Sequence, residues 1–531
     1  MSACGSRAPA GAAAPAITVG SALAADQTLV RALDTMPRSF DPSLLTDVDA
    51  QHVCDEIFEG LMAFGPDGSM VGGVASSWET SPDGKTWTFH LRPEARWSNG
   101  DPVTAADFVY AWKREVDPKT GTEYAQALAP IVNALAIAKG DAPVDSLGAA
   151  APDPHTVRLS LNSPTPYLLY LLADSFMQPL HRATIEKYGE NWTRPGNIVS
   201  NGPFILREAV VGNRITLEKN PYYWDTAHVR LTRVIFYPLE DTEIQVSRYL
   251  AGDLAVTSKI PLSRVAPLRE MLGDQVVVGP YNGTDSLSFN MVSPPFGHSR
   301  ELRLALSMAL DRKVISRYVY HGVQQPAYTE VPRMPGYDPP VPAWADWSDA
   351  QRIAEARRLY AAAGYSKDHP LRVQLDFPTA GANRDLWDAM AAMWRTALGA
   401  EVEPYNEEFR VLLQDLRLHK SKLFWNGWIG DYPDPYTFLQ IYETGYGQNF
   451  GLYSNPAYDA ELHKAANEPD PALRLGDLAR AETILNEDAG NLPFLYESSL
   501  HLLKPYVTGW HGNLQDRVVS RYLAVLEHQG D

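Results

Sequence analysis

The chain has 531 residues, enough for two or three domains with substantial cores. Hydrophobic residues make up 45% and charged residues 21%, an ordinary globular balance, and no apolar run approaches the roughly 18 residues of a membrane-spanning helix. Lys plus Arg number 46 against 64 Asp plus Glu, and the net charge of −18 argues against nucleic acid or an anionic membrane surface as partner.

In chain order, Ser2-Ala3-Cys4 has the form of the tail of a bacterial lipobox, which makes Cys4 a candidate lipid anchor. A cloning or processing remnant is the alternative. Residues 1–25, rich in Ala, Gly and Pro, read as a flexible tether. Thr28–Arg31 reads as a strand, Leu45–Val48 as a loop, and Asp49–Leu61 as a helix with Cys54 as a buried thiol. Two cysteines are too few for a disulfide framework or a metal cluster. Trp87–Leu91 alternates as a half-buried strand, and Thr104 is a suitable N-cap for a helix over Ala105–Arg114. Asp153–Leu161 reads as a strand and Pro164–Leu172 as the start of a helix.

Strands over Arg214–Leu217, Val234–Tyr237 and Val276–Val278 alternate with a helix over Glu243–Leu250. A new region starts at Ser286–Asn290, followed by an amphipathic helix over Leu302–Val314. Val331–Trp347, with its five prolines, reads as an irregular surface loop, and Ser348 as the cap of a helix over Asp349–Ala363. Helices are expected at Asp385–Leu398, Phe409–Leu418, Pro456–Ala466 and Pro471–Glu487, and strands at Leu371–Phe377, Val402–Pro404, Leu492–Tyr496 and Leu502–Tyr506. This alternation argues an α/β class.

One stretch carries more chemistry than the rest. Phe424–Leu439 reads FWNGWIGDYPDPYTFL: an aromatic strand end, two glycines that allow close backbone approach, then Asp431 among prolines that keep it out of helix or strand. A buried carboxylate needs a positive partner, and the stretch itself contains no Lys or Arg. A ligand ammonium would serve; so would a turn cap or a distant arginine.

The motif GW-x-G-DY-x-DP-x-x-FL resembles the signature of periplasmic oligopeptide-binding proteins, the extracytoplasmic receptors of ABC peptide importers. VASSWETSPDGKTWTFHLRPEARWSNGDPVTAADFVYAWKR (75–114), PGNIVSNGPF (195–204) and Asn220–Trp224 are similar to blocks of the wider peptide, nickel and opine class. The resemblance implies a periplasmic binding protein-like α/β fold: two main lobes around a ligand cleft, joined by a hinge, plus a third inserted lobe. It places lobe I at 26–58 with 184–284 and 500–531, lobe II at 59–183 and lobe III at 285–499. It further implies a monomer in the periplasm or at the outer face of the cytoplasmic membrane, with an oligopeptide ligand, ABC permease subunits as partners and no cofactor.

By the same resemblance Asp431 pairs with the peptide's α-ammonium. Trp425, Gly427 and Ile429 would offer backbone partners with Val48 opposite, Trp428 and Tyr124 would form apolar walls, and Phe409 joins the candidate set. Family positions for the peptide carboxylate fall here on Trp425 and Asn383, which leaves Arg417 as a substitute. A cleft tyrosine of the family aligns with Glu497, which is either a surface residue or a site for a second amine on the ligand. Rival functions are a receptor of the same fold for a non-peptide amine, a metal chelate or a cell-wall (murein) peptide, and a peptide sensor or chaperone. An extracytoplasmic hydrolase is a further rival, against which stands the lack of G-x-S-x-G and H-E-x-x-H.

Overall fold

The computed structural model describes residues 17–45, 47–122, 124–379 and 384–529. Cys4, the candidate anchor, and Asn383 lie outside them. No helix among the described residues is long and apolar enough to cross a membrane.

A four-stranded sheet orders Thr28–Leu33, Arg233–Pro238, Arg214–Lys219 and Phe204–Val210, with the first pair parallel and the others antiparallel. A second four-stranded sheet, antiparallel throughout, uses Ala75–Thr80, Thr86–Leu91, Thr156–Ser160 and Ala149–Asp153, all from the segment 59–183. The helix Ala105–Val116 packs near it, started by a capping box between Thr104 and Asp107. The buried side chains of these two regions run together into one core, from Leu29 to Phe236 and on to Tyr506–Val525. A seven-stranded sheet organises the second body. Its order is Gln325–Pro326, Asn491–Leu502, Val276–Phe289, Leu423–Trp425, Arg372–Pro378 and Glu401–Glu407, with Trp428–Ile429 also pairing with Val276–Phe289. The helices Arg300–Ala309, Asp349–Ala362 and Arg384–Leu398 cover its core.

Two strands join the bodies. Val276–Phe289 and Asn491–Leu502 are antiparallel, from Val276 opposite Leu502 to Ser288 opposite Asn491. At one end Val276, Leu500 and Leu502 sit in a core with Val246, Tyr249 and Leu268; at the other, Leu287, Phe289, Leu492 and Phe494 sit in the core of the second body. The register slips between Pro280 and Thr284, midway between the two cores. The expected strands Val276–Val278 and Leu492–Tyr496 are therefore parts of two longer strands, whereas of the expected strand Leu502–Tyr506 only Leu502 belongs to the second, and the chain leaves it there through a bridge and a turn. Pro280 and Gly283 break the apolar pattern of one strand without breaking its pairing.

Other expectations need correction. Thr18–Leu23, inside the expected tether, forms a strand on Ala524–Gln529, because that edge offers its backbone groups a ladder that composition does not reveal. The helix at Asp49–Leu61 runs Val48–Ile57 and stops where the Glu59 amide turns to the Asn201 side chain. Asp153–Leu161 is the turn and second strand of a hairpin, and the helix expected from Pro164 is only Leu168–Leu171. The helix at Leu302–Val314 ends at Ala309; Asp311 then accepts from the Val314 amide and starts a fresh turn. The loop Val331–Trp347 is no pure surface loop. Val331, Met334 and Tyr337 are buried, and both the Val331 amide and the Tyr337 hydroxyl donate to the buried Glu482.

Phe289 is fully buried at the second-body end of a crossing strand, with its ring centroid 4.9 Å from that of Phe296. Phe289→Ala is expected to cost about 3–5 kcal/mol, read as an earlier unfolding transition in urea, with ligand affinity unchanged because the ring is remote from the cleft.

Candidate functional site

The strand Trp428–Ile429 hangs on the crossing strand, Ile429 opposite Gly283 and Trp428 opposite Thr284. It continues into Gly430 and Asp431. Asn282 fixes this exit: its backbone carbonyl accepts from the Gly430 amide at 2.7 Å, and its side-chain NH2 donates to the carbonyls of Gly430 and Tyr432 at 3.1 and 3.0 Å. Glycine is required at 430 because a Cβ there would lie 2.4 Å from the Asn282 amide nitrogen and 2.7 Å from the Phe438 ring. At 427 a Cβ would lie 2.3 Å from the Trp425 indole.

Asp431 lines a cavity of about 750 Å³ between the bodies, walled from one side by Tyr124, Tyr167, Asp174 and Phe176 and from the other by Tyr281, Ile429, Tyr432 and Tyr446. Its carboxylate accepts from the Thr437 hydroxyl at 3.3 Å and, among the described residues, has no ion-pair partner. The surrounding walls push its carboxyl above the ordinary range, Thr437 opposes this, and Asp174 adds to it. Asp431 is nevertheless open to solvent through the cleft. Asp434, three residues on, is buried and clamped by Arg474 through two bonds of 2.7 and 2.9 Å, while also accepting from the Tyr436 amide. One carboxylate of the motif is thus neutralised from within the chain and the other is not.

Val48 and Ile429, 55% and 49% exposed, line this cavity together with Tyr124, whose ring stacks on Phe176 at 5.5 Å. The remaining candidates stand elsewhere. Trp428 is no wall of the cavity: it packs into the core around Tyr442 and Tyr458, and its indole N–H donates to Thr437, behind Asp431. The Trp425 indole donates to Asp285 at 2.8 Å, and Gly427 packs against that ring. Arg417 and Phe409 are exposed at the two ends of the helix Phe409–Arg417, and neither lines a cleft cavity. Helical spacing alone does not say which way that helix faces. Glu497 lies inside a crossing strand and lines a second chamber of about 400 Å³ that shares Val48, His52, Tyr281, Ile429 and Gln515 with the first. The reading of Glu497 as a surface residue is thereby removed.

Sequence reasoning missed Thr437, Asn282, Tyr167 and Tyr432. Thr437 stands six residues after Asp431, but only the short helix Tyr436–Leu439 turns its hydroxyl back. The stack of Tyr167 on Tyr432, 4.3 Å between centroids and 4° between planes, joins segments far apart in the chain and bridges the bodies beside Asp431.

Residues 69–450 match the family model for bacterial extracellular solute-binding proteins, family 5 Middle. The chain belongs to this family. This solute-binding protein is 35% identical over 524 residues to the periplasmic oligopeptide-binding protein OppA of Escherichia coli K12, covering 96% of the chain and 95% of the relative. It is also 35% identical over 513 residues to the periplasmic murein peptide-binding protein MppA of the same strain, again covering 96% and 95%. Among solved structures, the unliganded open form of MppA superposes with a TM-score of 0.89 at 35% identity, covering 96% of this chain and 99% of that one. The Haemophilus influenzae OppA complex with the peptide RPPGFSPFR superposes at 0.74 with 33% identity, covering 95% and 100%. The fold is that of the periplasmic binding proteins of this type.

The two carboxylates of the motif should behave oppositely when replaced in the empty protein. Asp434→Asn breaks the buried pair with Arg474 and is expected to cost about 3–5 kcal/mol. The raised carboxyl of Asp431 means that the folded state binds a proton more tightly there than the unfolded state does, so this group's contribution falls as pH rises through its folded pKa. Asp431→Asn is therefore expected to raise the calorimetric unfolding temperature at pH 7, and the gain should vanish near pH 3.

Proposed function

We propose that this protein is an extracytoplasmic receptor that captures oligopeptides between its two bodies and delivers them to an ABC permease, with Asp431 holding the peptide's N-terminal ammonium. The observation that carries this reading is the contrast between Asp434, satisfied by Arg474, and Asp431, a carboxylate on the cavity wall with Thr437 as its hydrogen-bond donor. A ligand ammonium supplies the missing charge and lowers the raised pKa, so binding and ionisation reinforce one another. Ile429, at the end of a two-residue strand, and Val48, at the first turn of its helix, offer backbone on opposite walls for an extended chain.

The names of the relatives, which bind oligopeptides and murein peptides, support a peptide as guest. Periplasmic placement follows from the same relatives. Superposition is better on an unliganded open form than on a peptide complex, which supports separated bodies in the empty receptor and closure about the crossing strands on binding.

Asp431→Ala is expected to weaken trialanine binding by at least about thirtyfold, since loss of a desolvated charge partner costs ~2–5 kcal/mol. Titration calorimetry measures this directly. N-acetyl-trialanine should bind the unaltered protein as poorly as trialanine binds the variant. Near-normal affinity in either case would mean that another group holds the amine.

A further inference from the structure

The second chamber has Glu497 on its wall, with Asp285 behind it, a carboxyl pair to which the ammonium reading assigns no role. Glu497 and Asp285 lie on adjacent antiparallel strands, with Asp285 opposite Leu495, so Glu497 is its diagonal neighbour on the same face. Gly283 sits beneath Glu497: a Cβ there would come within 3.2 Å of its Cβ, Cγ and Cδ. Asp285, only 9% exposed, accepts one indole N–H from Trp425. Among the described residues Glu497 has no hydrogen-bond or ion-pair partner, and no Lys or Arg pairs with either acid.

The other charges of the chamber are committed elsewhere. Lys259 pairs with Asp34 at 2.7 Å, Arg31 with Glu56 at 3.2 Å, and His501 with Asp516 at 2.9 Å. Asp49 accepts from the Thr35 amide and hydroxyl. Two more acceptors on the chamber wall, the side-chain carbonyl oxygens of Gln324 and Gln515, are buried without a donor. The chamber therefore offers unmatched acceptors and net negative charge. Shared walls with the Asp431 cavity make the two parts of one cleft.

We propose that this chamber is a specificity subsite for a positively charged side chain or second amine of the bound peptide, with Glu497 as its principal counter-charge and Asp285 as the acid behind it. This rests on the peptide-receptor reading above. Burial and charge repulsion keep Glu497 largely protonated in the empty cleft at neutral pH: burial first, then Asp285, push it up to about 8, Lys259 pulling the other way, while burial pushes Asp285 only up to about 6, against the Trp425 indole. Tyr281 and Tyr320 face the same pair, and both hydroxyls are held neutral there. An entering ammonium ionises Glu497 and releases its proton to solvent, so the preference for a cation strengthens as pH rises.

The test is titration calorimetry of the full chain with trialanine variants carrying lysine at each position in turn, each against norleucine at that position. At pH 8 one lysine isomer is expected to bind at least about tenfold tighter than its norleucine counterpart, as a charge-assisted contact provides. The preference should shrink at pH 5.5. Glu497→Gln should level it at both pH values. Equal affinity of lysine and norleucine at all three positions, with binding intact, overturns the subsite and leaves the Asp431 reading standing. A lysine preference that survives Glu497→Gln also overturns it. Absence of binding by every free-amino tripeptide overturns the receptor reading first, and the subsite with it.

Discussion

The structure depends on one antiparallel pair, Val276–Phe289 with Asn491–Leu502. Each strand has one end buried in one body and the other end buried in its neighbour, so neither end can slide without exposing core. The middle, where the register slips between Pro280 and Thr284, lies between the two cores. The same middle is the floor of the cleft. Asn282 and Gly283 on one strand and Glu497 on the other face ligand-sized space or the strand that borders it. The cleft thus lies against the joint between the bodies.

Several acids with structural work are matched by arginines inside the chain: Asp434 by Arg474, Asp55 and Asp174 by Arg517, Glu59 by Arg521, Asp41 by Arg114. Asp431 and Glu497, which no Lys or Arg pairs among the described residues, line the two parts of the cavity. Unpaired carboxylates in a partly desolvated site cost stability in the empty protein. That cost is returned on binding, which is why a satisfied neighbour such as Asp434 is as informative as the acid it stands beside.

Much of this was legible in the chain itself. The Gly-Asp-Pro pattern of 427–435 marked a backbone exit with an acid, because glycine and proline act locally and their effect can be read locally. Thr104 and Ser348 start their helices with capping boxes for the same reason. What could not be read were relations between distant segments. Trp428 looked like a cleft wall and Trp425 like a backbone partner for the ligand, and nothing local showed that their indoles serve Thr437 and Asp285. Of the strand Val276–Phe289 only Val276–Val278 was legible, because Pro280 and Gly283 interrupt the alternation beyond it. Glu497 stood open between two readings until its strand partner was known.

The aromatic stack of Tyr167 on Tyr432 has a mechanical meaning. The bodies touch there as well as through their shared strands. Parting the walls beside Asp431 means unstacking two rings that lie face to face, so this edge of the opening resists separation more than an edge without such a contact.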